Sequence, residues 1–208
     1  MPIILIIIFL SFTLSGCLPA IFTAAATTGV AASKDQSLSE TINDAKISAA
    51  IKASLVKHNF KELGTKIKVE VSQARVLFTG SIEKEENALK AIEIAWNQKG
   101  VKEVINELKV NKKSNHFDLV QYTKDSIITA QIKTKSLVRK DIKFANYTVL
   151  TVNDVVYLFG IARSEEELEK IATISSKIKG VEKVVCYVKI MDNISNSNEN
   201  NDSDNVQM

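Results

Sequence analysis

Few side chains in this 208-residue chain stand where catalysis would need them. There are two cysteines. Cys17 ends an apolar leader, and Cys186 sits within the apolar run Val184-Val185-Cys186-Tyr187-Val188, where a small buried strand residue is expected in preference to a reactive thiol. There is no CxxC and no His/Cys cluster, and His58 and His116 are isolated, so neither a metal nor another cofactor is expected. Two acidic clusters, Glu83, Glu85, Glu86 and Glu165, Glu166, Glu167, have the residue types for general acid–base work. No His, Ser or Lys partner recurs beside them, and each opens a helical segment, where carboxylates complement the positive helix end. Gly80 and Gly160 suggest a phosphate cradle, but each is a single glycine with no GxGxxG around it. A backbone or packing requirement is the expectation for both. The chain reads as a non-enzyme.

The same glycines belong to a pattern that occurs twice. Gly80, Gly100-Val101 and Val104 reappear as Gly160, Gly180-Val181 and Val184, each displaced by 80 positions. Upstream, Asp44, Ile47, Ile51 and Lys52 map onto Asp125, Ile128, Ile132 and Lys133 with an offset of 81. Agreement of this kind marks duplicated units, each a small fold. In each unit a helical period comes first, with Ile47, Ile51, Leu55 or Ile128, Ile132 as the core stripe. Asp44 and Asp125 stand where N-terminal caps are expected. Period-2 segments follow, joined by tight turns at Gln73-Ala74 and Asn153-Asp154. Gly80 or Gly160 closes the second strand, and the acidic cluster then opens a second helix, with Gly100 or Gly180 as its C-cap glycine. A last strand runs from Val104 to Val110 or Val184 to Ile190. The predicted class is α+β: two tandem α-β-β-α-β units, each a small mixed sheet with two helices on one face.

The two first helices differ on their outward side. At about 100° per residue, Ile127, Ala130, Thr134 and Leu137 fall together away from the Ile128/Ile132 stripe, where a one-layer helix should be polar. The equivalent of Ile127 in the first copy is Lys46, and Ala50, Ala53 and Lys57 complete a solvated face there. Only the second copy is therefore expected to present an outward apolar strip. Lys124, Lys133, Lys135, Arg139 and Lys140 flank it, and an apolar wedge rimmed by bases suits insertion into an anionic interface. Packing of Ile127 and Leu137 against the first unit is the competing expectation, as is a helix that ends before Leu137.

Charge is uneven. Formal net charge is +3, yet the segment from Asp192 to Met208 holds Asp192, Glu199, Asp202 and Asp204 and no base. The body before it is correspondingly more basic, which suits an anionic partner such as lipid headgroups or nucleic acid. The predicted organisation is a leader over 1–16, a tether over 17–42, units over 43–112 and 124–191 joined by a linker over 113–123, and a polar disordered tail over 192–208. The apolar run Ile3 to Phe12 is too short to span a bilayer and has the length of a signal-peptide h-region. About 25 residues of flexible tether would span roughly 25–30 Å.

Leu14-Ser15-Gly16-Cys17 resembles the bacterial lipoprotein lipobox. That resemblance implies cleavage before Cys17, diacylglycerylation of its thiol and acylation of its new amine. Leu18, in place of the Asp that retains such lipoproteins at the inner membrane, implies the periplasmic face of the outer membrane. The α-β-β-α-β order, the glycine of the second strand and the Gly-Val before the last strand resemble the BON domain. Lipobox, tether and two such units together resemble the dual-BON outer-membrane lipoproteins of Gram-negative bacteria. The family implies binding of anionic phospholipid through the second unit, with its first helix as the contacting element, and support of envelope integrity; on the angular reading the contacting residues are Ile127, Ala130, Lys133, Thr134, Lys135 and Leu137. No nucleic-acid partner is then expected. The alternative is a protein-interaction module for envelope proteins that uses the same basic helix as a docking face. Both turns lack the family's usual glycine, which predicts altered turn geometry.

Overall fold

The structure, a computed structural model, describes residues 34–58, 67–111 and 118–191. Cys17 with its lipobox, most of the tether, the core of the linker and the acidic tail lie outside the described residues. The first unit runs α1 (Leu38–Lys57), β1 (Ile67–Ser72), β2 (Arg75–Ile82), α2 (Glu85–Trp96) and β3 (Glu103–Val110). The second runs α3 (Leu119–Leu137), a short 3-10 turn (Phe144–Asn146), β4 (Tyr147–Val152), β5 (Val155–Ala162), α4 (Glu165–Ser176) and β6 (Lys183–Ile190). Each sheet has the middle strand antiparallel to the first and parallel to the last. The class is α+β in two like units, as the repeat predicts.

The first helices begin earlier than the aspartates suggest. Ser37 caps α1 through a capping box, its hydroxyl accepting from the Glu40 amide while the Glu40 carboxylate accepts from the Ser37 amide. Asp118 caps α3 by accepting from the Gln121 amide at 2.9 Å. Asp44 and Asp125 therefore lie inside the helices, on the buried face at 7% and 9% exposure. Each holds its unit's hairpin turn. Asp44 accepts from the amides of Gln73 and Ala74 at 2.9 and 2.7 Å, and Asp125 from those of Asn153 and Asp154 at 2.9 and 3.0 Å. All four turn residues have positive φ, between 50° and 66°. That is the type I′ geometry of two-residue hairpins, reached here without glycine. Both turns reach this geometry with ordinary side chains, and the helix carboxylate that accepts their amides supplies the physical reason.

Three further expectations change. Asn97 and Lys177 are the C-caps of α2 and α4, so Gly100 and Gly180 do not cap them. Each glycine sits instead, at φ of 92° or 94°, in a following turn closed by Val101 N to Gln98 O or Val181 N to Ile178 O. Gly80 and Gly160 stand inside their strands, paired with Ile67 and Tyr147, because each strand continues for two residues beyond them. Cys186 is exposed, not buried. It lies on β6, an edge strand with β5 as its neighbour, so the run around it is half-buried.

Alternation along β2 and β5 decides what covers the sheets. Val76 and Phe78 join α1 and α2 in one core, while Val156 and Leu158 join α3 and α4 in another. Leu77, Ile105, Tyr157 and Phe159, which point the other way, meet in a third cluster with Leu150, Val155 and Tyr187. The two sheets thus pack face to face, with the helices on the outer sides. Fully burying a side chain of this size contributes roughly 1.5–3 kcal/mol, so this cluster dominates the joint. At its rim the exposed Lys189–Glu103 pair, at 3.7 Å, contributes about 0–1 kcal/mol. The buried Arg75, paired with Glu103 of its own unit at 2.7 Å, donates across to the Tyr187 carbonyl at 3.0 Å.

Candidate functional site

The buried positions of α3 are Asp125, Ile128, Ile132 and Ser136, with Ile128 and Ile132 at 2% and 0% exposure. Its outward side carries Leu119, Val120, Ile127, Leu137 and Val138, all between 52% and 80% exposed. Ile127 and Leu137 therefore do not pack against the first unit, and the helix includes Leu137. Ala130, Lys133, Thr134 and Lys135 are exposed on the same helix. Thr123 and Thr134 bond their hydroxyls to the carbonyls of Leu119 and Ala130, four residues back, at 2.8 and 2.9 Å. Their polar atoms are satisfied by the helix, so they present methyl groups to the outside and leave the strip apolar. Leu119, Val120, Ile127 and the Lys124 and Lys179 stems also line a shallow groove of about 490 Å³.

The bases around the strip are not equivalent. Lys124 donates to Asp154 at 2.6 Å, a hydrogen bond that raises its pKa and lowers that of Asp154. Arg139 makes a two-pronged bond to Asp141 at 2.9 and 2.7 Å, and Lys170 adds a contact to Asp141 at 3.1 Å. These bonds hold the Asp141 carboxyl well below the usual range. Lys133 and Lys135 project from α3 with no salt bridge to a carboxylate among the described residues. Lys140, exposed just past the helix, makes no salt bridge among the described residues either, so these three bases are open to an outside anion.

The first unit is less bland outside than its sequence suggests. Because α1 starts at Leu38, its outer side includes Leu38, Ile42 and Val56 at 52%, 45% and 66% exposure. The expectation that only the second copy carries outward apolar side chains is corrected accordingly. Lys46 still stands, exposed, where α3 has Ile127. The strip of α1 is therefore interrupted at its middle, and alanines 45, 49 and 53 fill much of the rest.

Gly160 is held by geometry. Its φ is 134°, and a Cβ built there would lie 2.1 Å from the Asn146 carbonyl oxygen in the 3-10 turn. The acidic cluster at α4 is likewise occupied. Glu167, 3% exposed, accepts from Arg163 Nε at 2.8 Å and from the Lys143 amide at 2.7 Å, tying the helix start to the loop before β4. The residues that sequence reasoning missed lie on the joint between the sheets. Tyr157 and Tyr187 both donate to the Glu107 carboxylate, and the Arg75 guanidinium lies over the Phe159 ring at 5.4 Å. Burial would raise the Glu107 carboxyl, but the bond from Tyr187 and the charge of Lys109 outweigh it and leave its pKa lowered. Burial, with Glu107 nearby, pushes both tyrosines up to about 12.

Among the described residues no helix is long and apolar enough to cross a membrane. Comparison with known proteins gives the frame for these observations. The chain is 42% identical over 149 residues to an uncharacterized protein in the gshII 5′ region of Anaplasma centrale, covering 72% of this chain and 95% of that one. It is 28% identical over 179 residues to the outer membrane lipoprotein DolP of Haemophilus influenzae, covering 86% and 91%. It is 30% identical over 144 residues to osmotically-inducible protein Y of Escherichia coli K12, covering 69% and 70%. The BON domain model matches twice, over residues 43–112 and 124–192, the two stretches that carry the duplicated α-β-β-α-β units, and the chain belongs to the BON-domain family as a dual-BON protein.

Proposed function

We propose that this protein is a lipid-anchored, non-enzymatic binding module of the outer membrane's periplasmic face, held there through Cys17, that engages anionic phospholipid through α3 and supports envelope integrity. The observation that carries the reading is the outward strip of α3, exposed from Leu119 to Val138 and bordered by Lys133 and Lys135. A helix with one face in a protein core has no structural need for a second apolar face. An interface that is apolar below and anionic above rewards both features. The likeness to an outer membrane lipoprotein and the lipobox-like residues before Cys17 support the location.

Vesicle co-sedimentation of the full chain with Cys17→Ala, so that no acyl anchor contributes, tests the claim. Phosphatidylglycerol-containing vesicles should bind it, increasingly as salt falls, and phosphatidylcholine vesicles should not. Burying Ile127 contributes roughly 1.5–3 kcal/mol, so Ile127→Glu should weaken binding about ten-fold or more. Lys46→Glu, at the equivalent place on α1, should change it little. Equal losses from the two substitutions remove the assignment to α3. An absence of binding to either vesicle favours the docking of an envelope protein on this helix.

A further inference from the structure

Beside the α3 strip, the seam between the units forms a second feature. Lys68, on β1 of the first unit, crosses to the second and donates to the Thr151 carbonyl at 3.3 Å. With Ser126, Thr129, Lys133 and Thr151 it lines an open groove of about 320 Å³ that reaches Ala130. Ala130 and Lys133 are thus common to the groove and to the strip. An ammonium has three donors, and the contact with Thr151 uses one of those on Lys68. The Thr129 and Thr151 hydroxyls bond each other at 2.7 Å, and the Ser126 hydroxyl donates to the Tyr122 carbonyl at 2.8 Å. Hydroxyl oxygens and cations are therefore fixed together along one wall.

The balance of charge favours an anion. Burial raises the Glu70 carboxyl, and Lys52, Lys133, Lys68 and Lys34 all act on it in the opposite sense. Of the residues that line the groove, Lys68 comes from the first unit and Lys133 from the second, so both units bring a cation to it. The one acid among the residues that line the groove, Asp125, is committed to the turn amides. We propose that this seam groove receives the phosphate of an anionic lipid headgroup, with Lys68 of the first unit and Lys133 of the second as its cations. The inference rests on the lipid-facing reading of α3 and adds that the first unit takes part in recognition. A lipid phosphate is the occupant because the groove opens onto the flank of the strip. When a helix lies with its apolar face in the acyl boundary, its flanks stand at headgroup level.

The test uses the full chain with Cys17→Ala and vesicles of phosphatidylglycerol in phosphatidylcholine. Lys68→Gln should weaken binding about five-fold, the loss expected for one base near an anionic surface, and Lys68→Arg should bind as the parent does. Parental affinity in Lys68→Gln, with Ile127→Glu still defective, overturns the groove and leaves the α3 reading standing. An equal loss in Lys68→Arg and Lys68→Gln also overturns it, since the contact with Thr151 and not the charge would then be what matters. Parental binding by Ile127→Glu removes the α3 reading and the inference with it. Amide shifts at Lys68, Thr129 and Lys133 with inorganic phosphate, together with unchanged vesicle affinity in Lys68→Gln, assign the groove to a free anion and overturn the headgroup assignment.

Discussion

Asp125→Ala should be among the most damaging single substitutions in the second unit. The carboxylate accepts from the amides of Asn153 and Asp154 at 2.9 and 3.0 Å and from Gln121 Nε2 at 3.0 Å, at 9% exposure. Hydrogen bonds to a charged group contribute roughly 1.5–3 kcal/mol each. Three that share one carboxylate also share its desolvation, so the set comes to roughly 3–4 kcal/mol and not the sum. The two amides belong to residues at φ of 50° and 66°, a region that costs an ordinary side chain roughly 1–2 kcal/mol and Asn or Asp less. Removing the acceptor leaves that strain in place and orphans both donors. A small unit has about 5–10 kcal/mol in all, so the loss takes a large share of it. Asp125→Asn keeps the shape but turns one acceptor into a donor facing an amide, and it should recover less than half. Urea unfolding followed by far-UV circular dichroism measures the change, and hydrogen exchange at the Asn153 and Asp154 amides locates it. A variant within about 0.5 kcal/mol of the parent, with unchanged exchange at those amides, refutes the claim that the helix carboxylate holds the turn.

Gly160→Ala should destabilise the second unit by about 3 kcal/mol or more, because overpacking and a left-handed backbone act together. Folded protein should keep its vesicle affinity, and parental stability with lost binding would move Gly160 into the site. The Glu107 carboxyl is lowered in the folded state. Its contribution is therefore present above the unfolded value of about 4.3 and is lost as pH falls through the folded one. Stability should fall below about pH 4, and Glu107→Gln should flatten that acid limb. Identical slopes in parent and variant between pH 3 and 6 would refute it.

Much of this architecture is legible in the repeat because periodicity reports which face a residue takes, and Ile47/Ile128 and Ile51/Ile132 are all buried. The order of helices and strands along the chain follows from the change between the two periods. Helix starts were misplaced because an Asp inside a helix and an Asp at its cap look alike in sequence. The serine and glutamate of the capping box at Ser37 and Glu40 were the signal that could have set the boundary. The joint between sheets was harder to see. Continuous apolar runs such as Val155 to Phe159 do indicate a strand buried on both faces, but nothing local says that the second cover is the other unit. The strip on α3 was visible from angles alone. The groove at Lys68 was not, since it joins residues 83 positions apart in the contact with Thr151.

The duplication also explains how two like units come to bind each other. Residues at equivalent places meet across the joint: Glu107 corresponds to Tyr187 by the offset of 80, and the two hydrogen-bond one another. Two identical faces in this arrangement would set Glu against Glu, a repulsion of like charges, or Tyr against Tyr, with no charged acceptor for either hydroxyl. Divergence at that position creates the pair. Likewise Thr79 in the first unit is Phe159 in the second, and Phe159 lies beneath Arg75, whose own equivalent is Val155. Residues that hold each unit together, such as Asp44 and Asp125, remain the same in both because both folds need them. Some residues that face the partner unit or the outside differ, Lys46 and Ile127 among them, while others such as Lys52 and Lys133 are shared. A difference between copies at an exposed helical position is therefore where a division of labour between the units should be sought, and the Lys46/Ile127 pair is such a difference on the first helices.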